Sequence, residues 1–206
     1  MKLRVTKFKS PEVALKELEP FIRDGRHLYT GRPFERFGEL RSRELVASWM
    51  ICAVLNAGRP TNPFTFTSDP QGGDGIIYDR KEEIGWPTEH VMVPNVAPGE
   101  RRDINALIVD AVAGKQAKGG AAYARGRVLV IFLDAGLGEW FPNRVARQLP
   151  PLDFKEVWVV GLHGEVTEGY VYGVTQLDLS RATPRPAWSA SPRRLTHGQW
   201  NASSEP

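Results

Sequence analysis

Two acidic residues pose the first chemical question. Asp74 closes the turn QGGD and precedes the apolar run GIIYD, and Glu89 stands at the head of the run EHVMV. If the two runs are strands of a hairpin, a turn centred near residues 81 and 82 makes 74 and 89 cross-strand neighbours, because paired positions share a constant sum. Their side chains then share one face of the sheet. Carboxylates held together repel each other unless a proton or a cation lies between them. A hard divalent ion such as Mg²⁺, or Mn²⁺, resolves the repulsion with oxygen ligands. The same letters also suit an ordinary surface hairpin, with Gly72 and Gly73 as a tight turn into a strand.

The elements that would hold these residues follow from periodicity. Ser10, Pro11 and Glu12 open a helix over 11–23, with Val13, Leu15, Leu18, Phe21 and Ile22 as its apolar side. A second helix is predicted over 39–57, with Leu45, Trp49, Cys52 and Ala53 at helical spacing and Gly58 as a stop. TNPFTFTS, GIIYD and EHVMV read as three consecutive strands, with RKEEIGWP as the loop of the last hairpin. From Arg102 to Lys118 the helical period returns in Ile104, Leu107, Ile108, Ala111 and Val112, and Gly119 and Gly120 close it. RVLVIFLDA is an apolar run of the kind buried on both faces of a sheet. A short helix, EWFPNRVARQL, and the strands KEVWVVGLHG and YVYGVTQLD complete the body. An antiparallel meander followed by a helix and βαβ crossovers predicts an α/β fold, a mixed β-sheet flanked by helices on both faces.

Composition bounds the rest. With 206 residues, 41% hydrophobic and 25% charged, the chain reads as one domain over 1–180, including an N-terminal helical extension over about 1–37. A basic, Pro- and Ser-rich tail over 181–206 is expected to be disordered. Its four arginines against Glu205 account for the whole net charge of +3, so the body is neutral. The lone Cys52 sits in an apolar helical stretch as an inert thiol, which suits a reducing cytoplasm. No signal-peptide core follows MKLRVTKFKS, and no window is apolar enough to span a membrane.

Several chemistries lack a foothold. His27, His90, His163 and His197 are scattered without zinc-ligand spacing, and neither a phosphate loop nor a GxSxG elbow occurs. GGDG lacks the residues of a diguanylate cyclase signature, and SDPQGGDG lacks the closing glutamate of a calcium loop. Asp134, at the end of RVLVIFLDA, stands where α/β sheets place ligands but equally suits a turn. Trp86, Trp140 and Phe141 offer surfaces for base stacking or caps for a core.

In this order, a helix, Asp74 before one strand, Glu89 on the next, the helix 102–118 and then RVLVIFLDA, the chain resembles the PD-(D/E)XK nuclease superfamily over roughly residues 38–178. The resemblance implies a restriction-endonuclease-like fold, with Asp74 and Glu89 as metal ligands and the backbone carbonyl of His90 as a third. It also implies a lysine two residues after the glutamate, where this chain has Val91. Lysines of this superfamily migrate to other elements. Lys115, on the stripe of Ile104, Ile108 and Ala111, is the candidate for that charge-stabilising role, with Lys118 as second choice. Glu44 matches an acidic residue that such nucleases use as an outer metal contact. The implied activity is Mg²⁺- or Mn²⁺-dependent hydrolysis of phosphodiester bonds in DNA, or in RNA. The alternative is a catalytically inactive nuclease-fold module binding nucleic acid or a protein partner in a defence or mobile-element system. A homodimer is compatible with either.

Overall fold

A computed structural model describes residues 33–34, 40–93, 103–133, 139–166, 169–179 and 189–194. The helix expected over 11–23 and Asp134 lie outside them. Contacts group the chain into two compact units, Met1–Glu89 and His90–Pro206, where the sequence reads as a single domain. The boundary falls inside a strand rather than in a linker, so no shift in composition marks it.

In the first unit, β1 (Pro33–Phe34) and β2 (Leu40–Arg41) pair antiparallel. α1 spans Ser42–Asn56. Its residues 44–52 are all buried, so this helix is enclosed all round rather than along one stripe. Asn56, at its last position, ties the helix to the sheet: its side-chain amide donates to Phe64 O at 2.9 Å, and Phe64 N–H donates to its Oδ1 at 2.9 Å. β3 (Phe64–Thr67), β4 (Gly75–Asp79) and β5 (Ile84–Val93) form the predicted antiparallel meander. The hairpin loop is shorter than expected. It covers residues 80–83, because the Asp79 carboxylate accepts the N–H groups of Lys81 and Glu82 at 2.8 and 3.1 Å and so closes the turn early. Gly85 and Pro87 argue against a strand, yet tertiary pairing carries β5 through both.

The second unit begins with the last four residues of β5. α2 spans Ile104–Ala124, capped by Asp103, whose Oδ1 accepts Asn105 N–H at 3.0 Å. The break expected at the glycine pair is present: Gly120, at φ 64°, is non-helical, and a single further turn follows. Gly119 has a second role, since a Cβ there would collide with the Tyr123 ring. Replacing Gly119 with alanine is therefore expected to destabilise the protein by about 1–3 kcal/mol, read as a lower denaturant midpoint at unchanged slope.

β6 (Val128–Leu133), α3 (Pro142–Gln148) and β7 (Glu156–Val166) make the predicted crossover, with β6 and β7 parallel. α3 starts at Pro142, three residues later than EWF suggests, because a proline without an N–H suits a first helical position. β8 (Gly169–Gln176) returns antiparallel to β7. β9 (Ser189–Arg194), within the span expected as tail, pairs antiparallel with β8. The backbone groups of these six residues find partners on β8; the rest of 181–206 lies outside the described residues. Parallel and antiparallel pairs in one unit make this sheet mixed, and the chain is α/β. Val93, Ile104, Ile108, Val112, Leu129 and Ile131 are central to its core.

Asn105 joins α2 to the start of α3. Its Nδ2 donates to Asp103 Oδ1 at 2.6 Å, and its Oδ1 accepts Phe141 N–H at 2.7 Å, all from a position only 2% exposed. Asn105→Ala is expected to cost about 1–3 kcal/mol by stranding these groups. The bonds from Asn105, with Arg144 behind them, hold the Asp103 carboxyl below its usual range. A lowered native pKa contributes stability above the unfolded value and loses it as pH falls through the native one. The melting-temperature gap between wild type and Asn105→Ala should therefore narrow as pH drops below the ordinary aspartate range.

Candidate metal centre

All five pairs of β4 with β5 obey one register, from Asp79 opposite Ile84 to Gly75 opposite Thr88. Asp74 and Glu89, the pair expected from the sequence to be cross-strand neighbours, each lie one residue beyond the last of these pairs, Gly75 with Thr88. Asp74 lies just before the strand, and the chain enters β4 through Gly75 at φ 146°, a conformation that side chains other than glycine rarely adopt. Glu89 is 5% exposed and Asp74 half-buried, so the pair sits at the inner end of the hairpin, away from the exposed loop. A buried carboxylate facing a second one is costly unless positive charge attends it.

Beyond Glu89, alternation along β5 puts Val91 and Val93 on the same face. Val93 is buried, and Val91 packs against the cluster of Val93, Ile104, Ile108 and Val112. That packing gives a physical reason for valine where the resemblance leads one to expect lysine, since an ammonium there would enter an apolar core. The apolar stripe of α2 continues to Lys115, which is half-buried and donates from Nζ to His90 O at 3.0 Å. Lys115 does not run outward to solvent; its ammonium sits at the carbonyl of the residue that follows Glu89. This carbonyl is the one the resemblance assigns to the metal. An ammonium and a divalent ion on one oxygen repel, so Lys115 competes with that assignment. Lys118, the second choice, is exposed.

Comparison with protein-family models, curated proteins and solved structures finds no match.

The remaining sequence candidates disperse. Glu44 is 4% exposed in the first turn of α1, not the solvated helix residue that its type suggests. Among the described residues no three His, Cys, Asp or Glu side chains converge to hold a metal, so Glu44 does not complete a triad with Asp74 and Glu89. Trp86 is not in the hairpin loop but within β5, stacked on Phe64 at 6.2 Å between centroids. His90 is buried and His163 exposed. Burial pushes the Cys52 thiol up, which keeps it protonated and inert. No helix among the described residues is long and apolar enough to cross a membrane.

Sequence reasoning misses one feature. Tyr123 lies with Lys115 Nζ 5.9 Å and Arg127 Cζ 5.4 Å from its ring centroid, and Phe154 meets it edge-on at 6.5 Å. The signal is present in KGGAAYARGR, where small residues leave one aromatic ring among cations.

Proposed function

We propose that the chain is a metal-dependent nuclease of restriction-endonuclease-like architecture, with helices on both faces of its sheet, that hydrolyses phosphodiester bonds in DNA. The observation that supports the reading is the β4–β5 register, whose last pair, Gly75 with Thr88, directly adjoins Asp74 and the buried Glu89. The donor set suits Mg²⁺ or Mn²⁺, because Mg²⁺ is commonly held by one or two carboxylates, with water and substrate phosphate filling the other positions. When bound, the ion supplies a Lewis acid to the phosphodiester. Asp74 and Glu89 would hold it, and the burial of Glu89 would limit competition from solvent. Lys115, whose Nζ donates to the His90 carbonyl, is the residue proposed to donate to negative charge developing on the phosphoryl group.

Plasmid and single-stranded DNA incubated with Mg²⁺ or Mn²⁺ test the proposal. Cleavage by wild type and its loss in Asp74→Ala support it; equal activity in both, or none in either, removes it. A second reading, a nuclease-fold module without turnover, draws on the packing of Val91 into the core. It is favoured if wild type binds DNA and divalent cation but cuts neither substrate.

A further inference from the structure

We propose that the segment joining α2 to β6, together with the approach to β7, is a docking surface for the phosphate backbone of duplex DNA. It is built on Arg125, Arg127 and Lys155. The polymer is named by the nuclease reading, on which the proposal rests to that extent; the surface itself stands on other residues.

The backbone gathers these cations. Arg125 forms an antiparallel bridge with Phe154, and Lys155 N–H donates to Arg127 O at 2.9 Å, so three basic residues lie on two adjoining stretches of chain. Arg125 and Lys155 are exposed and Arg127 is half-buried. Arg127 reaches the Tyr123 ring from the opposite chain direction to Lys115, which links this group to the lysine of the proposed site. Between Lys118 and Arg125 the chain carries only Gly, Ala and Tyr123, so bulky side chains do not hold a phosphate strand away.

Among the described residues, Asp153 and Glu156 flank Phe154 and Lys155 in sequence. Asp153 Oδ2 accepts Gln116 Nε2 at 2.6 Å. Glu156 Oε2 accepts Trp158 Nε1 at 3.0 Å and Gln176 Nε2 at 3.2 Å, with Lys155 Nζ at 4.0 Å from its other oxygen. The balance of charge remains positive. A surface of this kind binds polyanions by releasing their counterions. Duplex is favoured over single strand because the one aromatic ring in the group, Tyr123, is already covered by Lys115, Arg127 and Phe154 and offers no open platform for unstacked bases. Exposed Phe141 lies at the other end of α2, beside Asn105.

The test is anisotropy of a labelled DNA duplex with the full chain, without divalent ions, over about 50–200 mM salt. Wild type is expected to bind with a steep salt dependence. Arg125→Ala/Lys155→Ala should bind more weakly and flatten the log–log slope by about 2, near one unit for each phosphate no longer neutralised. Arg125→Lys/Lys155→Arg should keep the slope, and thermal melts confirm that each variant is folded. Absence of duplex binding by wild type, an unchanged slope in the alanine variant, or tighter binding of a single strand overturns the proposal. Glu89→Gln separates the two readings: it removes cleavage if the acid pair is the metal site, yet leaves this slope untouched.

Discussion

Glu89→Gln is expected to reduce Mg²⁺-dependent cleavage of DNA by on the order of 10³, the equivalent of about 4 kcal/mol of transition-state stabilisation. The substitution keeps the volume of a side chain that is 5% exposed and removes only its charge. A glutamine amide ligates a hard cation poorly, and Asp74 alone cannot replace the lost carboxylate. The same variant has a signature that needs no substrate. Saturating Mg²⁺ at about 100 times its Kd should stabilise wild type by roughly 2.7 kcal/mol, because the ion binds the folded chain alone. The variant should show no such gain. A cleavage rate and a Mg²⁺-induced stabilisation equal to wild type would mean that Glu89 is a buried structural acid served by its own protein partners.

Lys115→Met is expected to lower kcat by about 10²–10³ without weakening divalent-cation binding. Methionine retains an apolar stem along α2, so the packing of that face survives and the ammonium alone is lost. The His90 carbonyl also loses its donor, which should cost about 1 kcal/mol of stability. That modest loss leaves the protein folded and the rate interpretable. A lysine that served only to satisfy the carbonyl would give the stability loss without the fall in kcat. The split between kcat and stability therefore distinguishes a group acting on substrate from one acting on the strand.

Much of this arrangement is legible in the letters, and the reasons differ by element. The expected pairing of Asp74 with Glu89 comes from strand arithmetic; the β4–β5 register and the loop of 80–83 agree with that arithmetic as far as Gly75 and Thr88, one residue short of the two acids. The Gly120 break and the parallel crossover also follow from local chemistry, φ freedom in one case and buried apolar runs in the other. Trp86 and Pro87 read as loop because proline and glycine oppose strands locally, while pairing with β4 overrides them. Glu44 and Lys115 illustrate a further limit. Whether a charged residue is enclosed or solvated depends on what packs over it, and a single helix's periodicity carries no information about that cover. The boundary between the two units is invisible in the sequence because it divides a continuous strand.

Calorimetric titration of Mn²⁺ into wild type, Asp74→Ala and Glu89→Gln addresses the shared ion most directly. One site in wild type that disappears in both variants is the predicted outcome. Identical binding in all three proteins, or no binding to wild type, would contradict a cation held between these two acids.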